Sequence, residues 1–202
     1  MIEIKDLSYA YGEKLVLKNL NLTVSKGEKI GIVGESGSGK STLIKLISEL
    51  YKVQSGTLKV DETVAVVMQS QNLFPLTIRE NITCGHQIPE EKIMQVVQIA
   101  QLEEWIKTLP EGLETFAGVR GGNFSGGQAQ RISIARALAR NADILILDEA
   151  TSALDNETAA KLMTALDGWW SEKTVISIAH RPEALQFCQK IYKLENGELE
   201  LC

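Results

Sequence analysis

The chain has 202 residues, a formal net charge of −5, 44% hydrophobic residues and 23% charged residues. That length suffices for one domain with a full core and leaves room for an inserted subdomain. The acidic balance argues against binding DNA or RNA through overall charge, and no apolar run is long enough to span a bilayer.

In chain order, Met1–Asp6 has neither the basic flank nor the apolar core of a signal peptide. Leu20, Leu22 and Val24 alternate with Asn21 and Thr23, as in a half-buried strand. Ser25–Glu28 reads as a turn. Ile30, Ile32 and Val33 then form a compact strand that runs into Gly34-Glu35-Ser36-Gly37-Ser38-Gly39-Lys40-Ser41-Thr42. Leu43, Ile44, Ile47 and Leu50 recur at helical spacing, which predicts a helix over 40–51. Thr63–Met68 reads as a second apolar strand, with Gln69 at its end.

From Pro89 the pattern turns helical, with Ile93, Val96, Val97 and Ala100 on one face and Pro89 suited to a first helical position. Pro110 breaks the pattern, and a glycine-rich loop runs over 112–122. Ala129–Arg140 is predicted as a helix, entered through Ser125-Gly126-Gly127-Gln128. Ile144–Leu147 is a continuous apolar run suited to a parallel strand buried on both faces, and Thr174–Ile178 is another. Asn196-Gly197 between apolar alternations signals a terminal hairpin. Strands alternating with helices predict an α/β fold with a largely parallel sheet. The three cysteines, Cys84, Cys188 and Cys202, form no metal-ligand pattern and read as reduced thiols of a cytosolic compartment. Trp105, Trp169 and Trp170 read as packing residues, and His86 as a surface residue.

The chemistry concentrates in four places. A triphosphate needs many short donors and close backbone approach, which Gly34, Gly37 and Gly39 permit at the N-terminus of the following helix. Lys40 reaches the outer phosphates as a point charge, Ser41 offers a hydroxyl to Mg²⁺, and Thr42 offers another near the phosphates. Asp148-Glu149 follows the Ile144–Leu147 strand, at the kind of strand end where open α/β sheets bind ligands. There Asp148 is suited to hold Mg²⁺ and Glu149 to orient and deprotonate a water. Ser125–Gln128 reads by propensity first as a helix cap, and secondarily as an anion site built from bare backbone N–H groups. His180 follows the Thr174–Ile178 strand, where a neutral imidazole could bond a γ-phosphate or the attacking water.

These motifs together resemble the nucleotide-binding domain of ABC transporters, in the family order and over essentially the whole chain. Gly34–Thr42 resembles Walker A, Gln69 the Q-loop glutamine, and Phe124–Gln128 the signature motif. Ile144–Asp148 resembles Walker B, with Glu149 the catalytic carboxylate. Ser152–Asp155 resembles the D-loop and His180 the switch histidine, and Tyr11 sits where the family stacks an aromatic on adenine. The resemblance implies a P-loop NTPase core with a mainly parallel sheet, a shortened N-terminal antiparallel β-subdomain and an inserted α-helical subdomain. It divides one domain over 1–202 into a catalytic core with β-subdomain (1–82 and 141–202) and a helical subdomain (83–140).

The resemblance also implies ATP and Mg²⁺ as cofactors. Tyr11, Gly34, Ser36, Gly37, Ser38, Gly39, Lys40, Ser41 and Thr42 would hold the nucleotide in cis, and Ser125, Gly126, Gly127 and Gln128 would hold the partner's. Ser41, Gln69 and Asp148 are the implied metal ligands, and Glu149, His180, Lys40 and Gln69 the catalytic set. Implied partners are a second ABC ATPase domain, as homodimer or pseudo-dimer, and a transmembrane transporter domain at the cytoplasmic face of a membrane, with no nucleic acid. The alternative is a soluble ABC-type ATPase without transport. Leu73-Phe74, Thr77–Ile82, Leu109–Gly112 and Gly118–Gly121 are similar to the exporter branch. Departures are Val119 for a common glutamate, Phe124 for leucine, Ala129 for a basic residue and Pro182 for leucine.

Overall fold

Alternating apolar residues in the first sixty positions build one small sheet. In this computed structural model, which describes residues 1–70, 72–179 and 181–202 apart from the side chains of Arg120 and Glu183, β1 (Ile2–Tyr11) pairs antiparallel with β2 (Lys14–Val24). Its other edge pairs antiparallel with β4 (Ser55–Val60), giving the order β2-β1-β4. Ile2, Ile4, Leu7, Leu17, Leu20, Leu22 and Val24 are buried, so the predicted alternation is the one realised.

The second sheet has six strands. They are β3 (Lys29–Val33), β5 (Val64–Val67), β6 (Ile144–Asp148), β7 (Thr174–Ile178), β8 (Lys190–Glu195) and β9 (Glu198–Leu201), in the order β5-β6-β7-β3-β8-β9. β6, β7, β3 and β8 run parallel, while β9 returns antiparallel to β8 through Asn196-Gly197. Both turn residues have positive φ, 52° and 84°, which is what a two-residue hairpin turn demands. Every residue of β6 and β7 is buried, as expected of strands covered on both faces. Ile178 pairs with Ile32 on one side and with Asp148 on the other. The C-terminal ends of β3 and β6 therefore emerge on one edge, about 10 Å apart across β7.

α1 (Lys40–Ile47) follows β3 and is shorter than the predicted 40–51. Ser48 Oγ bonds back to the Ile44 carbonyl at 2.8 Å, Glu49 takes a left-handed φ of 59°, and Leu50 is left 68% exposed. Periodicity alone could not see that local stop. The remaining helices are α2 (Ile78–Thr83), α3 (Glu90–Ile99), α4 (Glu103–Lys107), α5 (Gly126–Ala139) and α6 (Asn156–Trp169). Pro89 is the N-cap of α3, one position before the expected one. α5 starts three residues earlier than predicted, because its entry turn is itself helical. The 112–122 loop contains two short 3-10 turns, Gly112–Glu114 and Val119–Gly121.

The chain divides into two compact units: Met1–Val66 with Asp143–Glu149 and Trp170–Cys202, and Val67–Ala142 with Ala150–Trp169. The second is wider than the 83–140 segment expected as an insert, since it also takes in α2 and α6. Trp170 is fully buried against Phe187 in the first unit. In the second, Trp105 meets Phe124 edge to face and Trp169 lies under Lys92. The three cysteines are free.

Candidate active site

The loop between β3 and α1 is shaped by backbone constraints. A Cβ on Gly34 would stand 2.3 Å from the Leu194 carbonyl oxygen. Gly39, the N-cap of α1, has a φ of 112° and makes no side-chain capping bond. Helix α1 therefore starts with its first N–H groups uncapped, the feature that favours an anion. Lys40 is only 8% exposed, and its Nζ donates to the carbonyls of Gly34 and Glu35 at 2.6 and 2.7 Å. Ser38 Oγ is buried without a hydrogen-bond partner. An uncapped helix start, a buried ammonium and an unpartnered buried hydroxyl fit a bound phosphate chain. Ser41 is exposed. Thr42 is buried, and its Oγ shares a 3.3 Å hydrogen bond with the hydroxyl of Tyr11.

Asp148 closes β6 and is 5% exposed. Burial lifts its pKa above the ordinary value, the neighbouring Glu149 lifts it further, and Lys40 opposes both. Through Ile178, which pairs with both Ile32 and Asp148, the strand end and the start of the phosphate loop lie on the same edge of the sheet. Glu149 has a φ of 49°, uncommon for a residue with a Cβ, and its N–H donates to the Ile178 carbonyl at 2.8 Å. Ser41 and Asp148 offer a hydroxyl and one carboxylate. That donor set suits Mg²⁺, which takes few protein ligands and fills its shell with phosphate oxygens and water. Among the described residues, no group of three or more His, Cys, Asp or Glu side chains is gathered as a metal cage.

In the second unit, the Ser125–Gln128 turn is a complete capping box. Ser125 Oγ accepts the Gln128 N–H at 3.2 Å, and Gln128 Oε1 accepts the Ser125 N–H at 2.8 Å. Ser125 and Gly126 are exposed. A Cβ on Gly127 would meet the Ala153 carbonyl oxygen at 3.2 Å, so glycine lets the turn lie close against residues 152–155. Gln130, which sequence reasoning passed over, is fully buried. Its Oε1 accepts the Ala153 N–H at 3.0 Å and its Nε2 donates to Ser152 Oγ at 3.5 Å. Asp155 caps α6 through the Thr158 N–H at 2.9 Å, a bond that holds its pKa down.

Gln69 lies in an exposed bend after β5, within the second unit. His180 lies outside the described residues. His86 is exposed and contacts Arg140. A second cluster that sequence reasoning missed fixes the loop after Gln69. Asn81, fully buried, accepts the Phe74 N–H at 2.8 Å and donates to the Phe74 and Thr77 carbonyls at 3.0 and 2.9 Å. Arg136 of α5 donates to Asn81 Oδ1, to the Asn81 carbonyl and to the Asn72 carbonyl at 2.6, 2.7 and 3.1 Å. The loop then displays Phe74 and Leu76 to solvent.

A family model described as ABC transporter matches residues 17–152. The chain belongs to the ABC transporter family. An ATP-dependent lipid A-core flippase of Syntrophus aciditrophicus (strain SB) is 41% identical over 212 residues, covering 98% of this chain and 35% of that protein. A putative multidrug export ATP-binding/permease protein of Staphylococcus aureus (strain bovine RF122 / ET3-1) is 39% identical over 214 residues, covering 98% and 37% respectively. A solved structure, "Structure of a bacterial Atm1-family ABC exporter with ATP bound", superimposes with a TM-score of 0.94 at 32% identity, over 98% of this chain and 38% of that one. The chain thus spans little more than a third of the length of each. It has the α/β fold of an ABC ATPase domain, with the P-loop NTPase core and antiparallel β-subdomain expected above. Two departures from the ABC pattern acquire physical reasons. Phe124 packs edge to face on Trp105, and Pro182 opens a short 3-10 turn, where its fixed φ is tolerated. Among the described residues no helix is long and apolar enough to cross a membrane.

Proposed function

We propose that this domain binds and hydrolyses ATP as the motor of an export system, pairing with a second ABC ATPase domain and a transmembrane domain at the cytoplasmic face of the membrane. The observation that carries the reading is a buried Lys40 turned into a glycine loop that lacks a cap, on the sheet edge where buried Asp148 ends β6, within an exporter-like chain. Lys40, the loop N–H groups, Ser36, Ser38 and Thr42 hold the phosphates, and Tyr11 carries the base. Ser41, Gln69 and Asp148 would hold Mg²⁺, which when bound neutralises charge on the outer phosphate oxygens. Glu149 takes a proton from water as the water oxygen bonds to the γ-phosphorus. The bond from that phosphorus to the bridging oxygen breaks, leaving ADP and phosphate. His180 and Gln69 orient the γ-phosphate and the water. Ser125–Gln128 completes the partner's site, so that ATP closes the dimer and hydrolysis reopens it.

The relatives are exporters and a flippase by name, which favours export over a soluble ATPase without transport. Glu149→Gln tests the assignment. Affinity for ATP should be retained, turnover should fall by about 10²–10³-fold, and a stable ATP-bound dimer should appear in light scattering. Wild-type turnover in that variant would sink it.

A further inference from the structure

Besides Thr42, Tyr11 is fixed by groups that the reading above does not use. Pairing of β1 with β4 ends at Ser8 and Ser55. Beyond that point the side chain of Gln54 continues the ladder: its Oε1 accepts the Ala10 N–H at 2.7 Å and its Nε2 donates to the Ala10 carbonyl at 3.0 Å. These are the two bonds an adjacent strand would supply, made here by one amide on the exposed residue just before β4. They pin the backbone of the residue before Tyr11.

The ring is fixed separately. Tyr9 and Tyr51 stack at 5.6 Å and 8°, and each meets Tyr11 edge to face, at 5.3 Å and 78° and at 6.0 Å and 80°. Lys45 Nζ lies 5.1 Å from the centre of the Tyr51 ring and donates to its hydroxyl at 3.4 Å. The Tyr11 hydroxyl ends on Thr42. With all this, Tyr11 remains 44% exposed, so it is held without being buried. An exposed tyrosine at a hairpin end ordinarily keeps its rotamer freedom and loses it on binding.

We propose that Gln54 and Tyr51 are positioning residues for Tyr11. They preset the aromatic plate on which the base of the nucleotide stacks, and so raise affinity for the base without touching it. This rests on Tyr11 being the base-stacking residue. Inorganic tripolyphosphate has no base, so its binding reports on the phosphate loop alone.

The test uses the full chain and measures ATP and tripolyphosphate affinity by calorimetry, KM and kcat for ATP, and thermal melting. Gln54→Ala and Tyr51→Ala should each weaken ATP about three- to tenfold and raise KM at an unchanged kcat, with tripolyphosphate affinity unaltered. Tyr51→Phe keeps the ring contacts and should restore most of the loss. Tyr11→Ala should weaken ATP as well, and adding Gln54→Ala to it should cost nothing more. Gln54→Ala is the primary probe, because its exposed side chain leaves the core intact. The inference is overturned if Gln54→Ala binds ATP like wild type, weakens tripolyphosphate equally, or adds a further loss on top of Tyr11→Ala. Undiminished ATP affinity in Tyr11→Ala itself would instead defeat the base-stacking assignment.

Discussion

Helices α1 and α5 both begin at a glycine-rich turn, and the two turns are finished in opposite ways. At α1 the N-cap is a left-handed Gly39 with no side-chain cap, a buried lysine faces back into the loop, and Ser38 Oγ is unpartnered. At α5 the Ser125–Gln128 box satisfies its own donors, and Gln130 ties the helix to residues 152 and 153. The first turn is left open for a ligand, whereas the second commits its Ser125 and Gln128 donors to its own box and keeps only those of Gly126 and Gly127. An anion reaching the second turn meets the Gly126 and Gly127 N–H groups, flanked by two donors that already have partners in the box. In the proposed reading, nucleotide binds first at α1, where buried Lys40 adds a positive charge that Ser125–Gln128 lacks, and the α5 turn of a partner adds to a site already filled.

If that contrast holds, injuries to the two turns should read differently. Lys40→Ala should lower kcat/KM for ATP on the order of 10²–10³-fold. Its melting temperature should stay close to wild type, because the loss is confined to two loop carbonyls and to the attraction felt by Asp148. Retention of more than a tenth of the activity would mean that Lys40 is a structural cation. Gln130→Leu should do the reverse in proportion. Stranding the Ala153 N–H costs about 1–3 kcal/mol of stability, read as a lower melting temperature. Turnover should fall by roughly tenfold at low protein concentration, and recover in part as concentration rises. An unchanged melting temperature would break the claim that this turn is secured by its own unit.

The first turn was legible in the sequence for the same reason it is open. Backbone conformations that exclude a Cβ write glycine into the chain at fixed spacing, and Asp148 announces itself by ending an all-apolar strand. Even the strand alternation of residues 20–24 survives into the structure. The second turn was legible only as a cap. What secures it is Gln130, a polar residue on a buried helix face whose partners lie more than twenty positions away, and no local pattern encodes such a pairing. Asn81 and Arg136 escaped notice likewise, since apart from the bond between them their partners are backbone groups that every residue carries. The length of α1 was overread because Leu50 fits the helical period while Ser48 and Glu49 end the helix locally. The unit to which α6 belongs is a matter of packing, to which periodicity is blind.

The contrast also implies that the stability of the first unit lies in its strands rather than in its open turn, and Asp143 offers a mild way to check. Thr63 donates to Asp143 Oδ2 through its hydroxyl at 2.8 Å and its N–H at 3.3 Å, and the Asp143 N–H returns a bond to Thr63 Oγ at 3.1 Å. The Asp143 carbonyl accepts the Thr174 N–H, so the group joins the starts of β5, β6 and β7. The Thr63 bonds hold the carboxyl pKa below its ordinary value, with smaller help from Lys173 and Lys26. A folded-state pKa below the unfolded one means stability that is fully present above pH ~4 and is lost as pH falls through the folded value. Asp143→Asn keeps the shape and one acceptor but removes the charge. At pH 7 its melting temperature should lie about one to two degrees below wild type, with ATP affinity unchanged. As the pH falls below about 4, the two proteins should converge, because the wild-type carboxylate is then protonated too. Curves that stay parallel from pH 7 to pH 3 would show that the charge on Asp143 contributes nothing, and that the neutral bonds alone hold the strand ends together.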